Sequence, residues 1–116
     1  MAIESRQKEG VVIFTLSGRL IGGAIPELRK AIEEQLAQIP GPPKLLFDFA
    51  DVTLLDSSGL GTLMGTHVSI VKKGGRIGVI NAGANIKNLI IRSRLISTFE
   101  RFDSEDEAVK GLSGDE

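Results

Sequence analysis

The run Asp56-Ser57-Ser58-Gly59-Leu60-Gly61 places a carboxylate, two hydroxyls and two glycines where an apolar strand pattern gives way to a helical one. A helix start leaves backbone N–H groups unpaired and carries partial positive charge, so a phosphoryl group added to a hydroxyl there is well received. Catalysis fits the same residues poorly. A dyad of Ser57 with the single histidine, His67, fails on distance, because ten helical residues span about 15 Å at 1.5 Å per residue. The run is not a Gly-x-Ser-x-Gly elbow either, so hydrolase chemistry has no support. Part of the run is structural: Asp56, Ser57 and Ser58 can all accept from free N–H groups, and Ser58 or Asp56 is the expected cap. Asp56 reads as a loop organiser rather than a base. Asp56, Ser58 and Gly59 thus form the loop of the site, and capping alone does not require two adjacent serines. These residues point to regulation.

The elements that must position this run can be read from spacing. Val11-Val12-Ile13-Phe14-Thr15-Leu16 is β-branched and apolar and predicts a strand, with residues 2–8 as an edge strand beside it. Ile25, Leu28, Ile32, Leu36 and Ile39 recur at helical spacing around Pro26 until Pro40-Gly41-Pro42-Pro43 ends the pattern. Lys44 to Phe49 is a second core strand, and Val52 to Leu55 carry it on to Asp56. The next helix runs from Ser58 to about Lys72, with Leu60, Leu63, Met64, Ile70 and Val71 as its expected inward stripe and Gly74-Gly75 as its stop. Arg76 to Ile80 reads as a third core strand. Ala84 to about Arg92 reads as a short helix with Ile86, Leu89 and Ile90 inward, and Ile96 to Phe102 as a last strand. A terminal helix starts at Ser104, where Ser104-x-x-Glu107 fits a capping box and Ala108 and Leu112 can pack inward. Strands alternating with helices predict an α/β sandwich on a mixed sheet of about four or five strands, covered by about four helices.

Bulk properties narrow the function. With 116 residues and 41% hydrophobic content, the chain suits one domain, spanning 1–116, with its own core. Fourteen basic against 15 acidic side chains leave a net charge of −1, so the electrostatic footprint of a general nucleic-acid binder is missing. With no cysteine and one histidine, thiolate and multi-histidine metal sites are excluded, and no loop pattern supports a hard cation. Gly22-Gly23 and Gly74-Gly75 lack the pattern of a nucleotide cradle and read as turns, so no cofactor is expected. Met1 to Gly10 is charged and lacks the apolar core of a signal peptide, and no apolar run approaches a membrane span. A cytoplasmic protein acting on a protein partner, as a monomer or weak dimer, is the expectation.

On the second helix Gly61, Gly65 and Ser69 recur every four residues, with Thr62 and Thr66 beside them. This strip of small residues is expected to face away from the Leu60, Met64 and Val71 stripe, and a partner helix could approach it closely. Lys72, Lys73 and Arg76 form one small basic cluster and Arg92 and Arg94 another, both read as solvated faces.

Taken together, Phe47-Asp48-Phe49 leading to Leu54-Leu55-Asp56-Ser57-Ser58-Gly59-Leu60-Gly61, and the helix ending at Gly74-Gly75, resemble the STAS domain of anti-sigma factor antagonists. The resemblance covers nearly the whole chain, including Leu16-Ser17-Gly18-Arg19-Leu20 and Asn85-Ile86-Lys87. It implies a STAS-like sandwich and a non-enzymatic partner switch. In that family the unmodified antagonist binds an anti-sigma factor, often itself a serine kinase, and so frees sigma. Phosphorylation of the serine directly after the aspartate, Ser57 by motif position, breaks the complex until a phosphatase restores it. One position departs from the pattern: Ile21 stands where the family usually has an acidic residue near that serine. The alternative the resemblance allows is a structural or scaffold STAS domain of a stress-signalling assembly that is not phosphorylated.

Overall fold

The computed structural model describes residues 2–83, 86, 88 and 99–114. Its elements run β1 (Ala2–Lys8), β2 (Val11–Leu20), α1 (Ala24–Ala37), β3 (Lys44–Leu55), α2 (Ser57–Lys72), β4 (Arg76–Ile80), β5 (Glu100–Arg101) and α3 (Glu105–Ser113). The five strands form one mixed sheet in sequence order. β1 is antiparallel to β2, and all later pairings are parallel. The β1–β2 connection is the two-residue turn Glu9-Gly10, with φ of 51° and 81°, the left-handed pair that a tight hairpin requires.

Alternation along the strands divides the core in two. Val12, Phe14 and Leu16 of β2, Leu45, Phe47 and Phe49 of β3 and Ile77 and Val79 of β4 point to one face, which α1 and α2 cover. Phe47 lies at the centre of that layer, its ring 5.5 Å from Phe14 and 6.1 Å from Phe49. Val11, Ile13, Leu46 and Ile80 point to the other face, where α3 supplies Ala108, Val109 and Leu112. This two-sided burial explains the almost unbroken apolar runs of β2 and β3. Parallel strands laid down in sequence order need crossovers of one hand, and that hand puts α1 and α2 on the same side. The helices therefore segregate two to one among the described residues.

Most expected elements are present, with differences in detail. α3 is capped by Ser104, whose Oγ accepts from the Glu107 N–H at 3.2 Å. Its C-terminal carbonyls are met by Arg76, which donates to Gly111 O at 2.7 Å and Gly114 O at 3.3 Å and pairs with Glu100. The last strand is limited to Glu100–Arg101, with Phe102 already past it and packed under α3. Its expected start at Ile96, the short helix from Ala84 to Arg92 and the Arg92/Arg94 cluster fall outside the described residues, apart from Ile86, which is buried as expected, and Asn88. No described helix is long and apolar enough to cross a membrane.

Charges on β1 tie α3 to the opposite end of the chain. Arg6 forms a forked pair with Glu105, one arm at 3.0 Å, and Lys8 lies 3.4 Å from Asp106. The hydrogen bond from Arg6 holds the Glu105 carboxyl below the usual carboxylate range, and the same bond raises the Arg6 guanidinium. A lowered folded-state pKa means stability that is present above the unfolded value and lost as pH falls through the folded one. Both side chains retain solvent contact, 50% for Arg6 and 27% for Glu105, so screening keeps the contribution below about 1 kcal/mol. Glu105→Gln is expected to lower the urea midpoint slightly at pH 7. The gap from wild type should close once the pH drops below the range in which Glu105 ionises, and shrink in high salt.

Candidate functional site

The site forms where β3 outruns the core and turns into α2. Beyond Phe49 the strand rises out of the packed layer, so that Ala50, Asp51, Thr53 and Leu54 are exposed before Leu55 turns back inward. Asp56 then takes extended dihedrals, and its Oδ1 accepts from the Gly59 N–H at 3.0 Å. Asp56 is the N-cap, one of the two residues expected for that role. Ser57 and Ser58 are therefore the first two residues of the helix, and both are exposed. The Asp56 N–H in turn donates to Leu20 O at 3.4 Å, which ties the site to the end of β2 and to the neighbouring, half-buried Ile21.

Gly59 fixes how closely the helix start can sit. A Cβ at this position would lie 2.5 Å from Leu55 Cδ1 and 2.7 Å from Leu20 O, and the second of these is backbone that cannot step aside. Glycine is required here by close approach, not by its dihedrals. With Gly59 pressed inward, Ser57 is turned outward.

The face that α2 presents differs from the sequence-based expectation. Gly59, Thr62, Leu63, Thr66 and Ile70 are buried, whereas Met64, Val68 and Val71 are exposed at 44%, 50% and 53%. The expected inward stripe is thus correct at Leu63 and Ile70, half-buried at Leu60, and wrong at Met64 and Val71. Thr62 and Thr66 are corrected in the other direction, since they sit inside rather than on an open strip. Their burial is affordable because each hydroxyl bonds a carbonyl one turn back: Thr62 Oγ1 to Ser58 O at 3.1 Å, and Thr66 Oγ1 to Thr62 O at 2.8 Å. Gly61, Gly65 and Ser69 are exposed, and with the two threonines they line a groove of about 200 Å³ against α1. Arg29 and Glu33 stand on the α1 side, with Arg29 Nη2 3.5 Å from Thr62 Oγ1.

The exposed apolar residues are not scattered. Ser57, Gly61, Met64, Val68 and Val71 follow one another at spacings of four, three, four and three, which puts them on one helix face. Exposed Leu54 (44%) precedes the same helix from β3. An apolar row in line with an exposed hydroxyl is the makings of a docking surface. His67 lies elsewhere, its ring 5.7 Å from Phe99.

The STAS-domain family model matches residues 2–108 of the chain. The chain belongs to the STAS family. The anti-sigma F factor antagonist of Paenibacillus polymyxa is 28% identical over 112 residues, spanning 97% of this STAS chain and 95% of the relative. An anti-sigma factor antagonist from Mycobacterium paratuberculosis superposes with a TM-score of 0.84 at 26% identity, covering 97% of this chain and 94% of that one. The Bacillus cell fate determinant SpoIIAA in its phosphorylated form shares the fold, with a TM-score of 0.76 at 21% identity over 96% of this chain and 99% of its own. The mixed sheet and the helices on its two faces are the STAS architecture.

Two substitutions test how the site is held. Asp56→Ala removes the N-cap acceptor and is expected to cost about 1 kcal/mol in urea unfolding. Gly59→Ala forces a methyl against Leu20 O and is expected to cost more, about 1–3 kcal/mol, with a shift of the Ser57 amide resonance reporting the displaced helix start.

Proposed function

We propose that this STAS domain is an anti-sigma factor antagonist, a binding protein whose complex with an anti-sigma factor is switched by phosphorylation of Ser57. The observation that carries the reading is the position of Ser57: an exposed hydroxyl at the first residue of α2, in line with the exposed Met64, Val68 and Val71. The names of the relatives supply the partner class, since the Paenibacillus and Mycobacterium proteins are both described as anti-sigma factor antagonists. SpoIIAA, which shares this fold, has been solved in a phosphorylated form, and that supports the reading.

In this reading the anti-sigma factor covers Leu54, Met64, Val68 and Val71. Gly61, Gly65 and Ser69 border that surface and admit a close approach, while Thr62 and Thr66 shape the groove beneath. Asp56, Ser58 and Gly59 hold the loop, and no residue is asked to act as base or nucleophile. The kinase is the anti-sigma factor or a relative of it, and a phosphatase resets the switch. Phosphoserine adds about −1.5 to −2 charges in a strongly hydrated group. Burying it unpaired under a partner costs several kcal/mol, and about 4 kcal/mol weakens binding roughly a thousandfold.

The test is capture of the anti-sigma factor kinase by wild type, Ser57→Ala and Ser57→Asp, together with intact mass after incubation with that kinase and ATP. Wild type should gain one phosphoryl group of about 80 Da, Ser57→Ala none, and Ser57→Asp should lose capture. Equal capture by all three proteins overturns the switch. A complex that forms without any mass gain in wild type supports the scaffold alternative, with Ile21 as the first position to examine.

A further inference from the structure

We propose that β1 is a self-association edge, through which two copies of this chain join antiparallel about Ser5 into one continuous sheet. Among the described residues the sheet has two edges, and they differ. β5 offers two residues, whereas β1 offers seven, exposed along most of their length and paired to β2 without a register shift. β1 contains neither proline nor a bulge, two of the devices that stop an edge strand from pairing, and the Arg6 and Lys8 side chains are engaged by Glu105 and Asp106.

The hairpin fixes which of its backbone groups are free. Lys8 and Val11 flank the two-residue Glu9-Gly10 turn and face each other in the register. In such a turn Val11 N–H donates to Lys8 C=O, so Lys8–Val11 is a hydrogen-bonded pair. Bonded pairs alternate along an antiparallel ladder, so Arg6, Glu4 and Ala2 also bond inward to β2. Ile3, Ser5 and Gln7 therefore direct both N–H and C=O outward.

The side chains select one register. A second β1 must keep like faces together, which permits a two-fold centre at Glu4, Ser5 or Arg6. Centring on Glu4 sets Glu4 against Glu4 of the second copy, and centring on Arg6 sets Arg6 against Arg6. Centring on Ser5 sets Glu4 against Arg6 of the second copy twice, with no like charges opposed. That register also sets Ser5 against Ser5 and Ile3 against Gln7, so every outward N–H and C=O of these residues finds a partner. Glu4 already faces the same side of the strand as Arg6, which extends the Arg6–Glu105 pair across the junction. α2 packs on β3 and β4, so the Ser57 face stays clear of the joined edge.

Sedimentation equilibrium of the full chain across concentration is the test, with amide exchange as the local readout. Wild type should pass from monomer to dimer. The Ile3, Ser5 and Gln7 amides should gain protection in step, while Glu4 and Arg6 remain protected at every concentration by β2. Ser5→Pro removes one outward N–H at a position an edge strand tolerates, so it should stay folded by circular dichroism and remain monomeric. Glu4→Arg should weaken the dimer about tenfold, because attraction becomes repulsion at both pairs. An equal mixture of Glu4→Arg and Arg6→Glu chains should recover it, since each then opposes the other's charge. If Arg6→Glu does not fold, Ser5→Pro and the exchange pattern decide. A wild type that is monomeric up to about 1 mM, a threshold corresponding to about −4.1 kcal/mol, overturns the proposal. So does a dimer that Ser5→Pro leaves intact or that forms without protecting the three amides.

Discussion

The seating of α2 against the end of β2 is the constraint on which the rest of the site depends. Only a glycine at position 59 lets the first turn of the helix lie on Leu20 O and Leu55, and the Asp56 N–H bond to Leu20 O closes the same corner from the strand side. With that turn pressed inward, the helical period decides everything that follows. Thr62, Leu63, Thr66 and Ile70 continue the buried face, and Ser57, Gly61, Met64, Val68 and Val71 the open one. Rotating the helix by about half a turn would exchange these faces and bury Ser57. The orientation of one hydroxyl is therefore set by a contact two residues further along.

Much of this was legible in the sequence, and the exceptions share a cause. The strands were marked by β-branched runs, the helix ends by Pro40-Gly41-Pro42-Pro43 and Gly74-Gly75, and the terminal helix by its Ser104 capping box, because these signals are local. The buried face of α2 was not. Hydropathy assigns threonine to the outside and methionine and valine to the inside, yet Thr62 and Thr66 satisfy their hydroxyls on carbonyls of their own helix and can therefore be buried. Once they are buried, Met64 and Val71 have no room on the core side. The signal that could have shown this was the even spacing of Ser57, Gly61, Met64, Val68 and Val71, which runs in register with the candidate serine. The cap was legible only as a choice between Asp56 and Ser58, since both carry a suitable acceptor and only geometry distinguishes them.

The sheet imposes a second asymmetry. α1 and α2 shield one face over most of its width, while the other has α3, nine residues long, as its described cover. That cover is held by three buried side chains and by polar contacts at both ends: the ion pairs of Arg6 and Lys8 at the first turn, and the hydrogen bonds that Arg76 donates to the last carbonyls. The charges of β1 are thereby drawn onto the α3 side. Among the described residues its backbone edge stays open.

The proposed switch and the architecture are compatible because charge added at Ser57 affects two environments differently. Inside the domain it meets the amino end of α2, where a negative group is favoured by about 0.3–1 kcal/mol and, in partly buried geometries, by up to about 2 kcal/mol. Under a partner it is covered at the end of the exposed face that carries Met64, Val68 and Val71, where an unpaired dianion costs several kcal/mol. The first effect leaves the fold intact or slightly steadier, and the second acts only when the surface is covered. A regulatory group placed in the buried threonine layer instead would disrupt the helix before it reached any partner. The first helical residue satisfies both conditions, being exposed enough to modify and on the same helix face as the apolar stripe that a partner would cover. The N-cap oxygen of Asp56 is already committed to the Gly59 N–H. Ser57 can therefore carry the modification without loss of the cap.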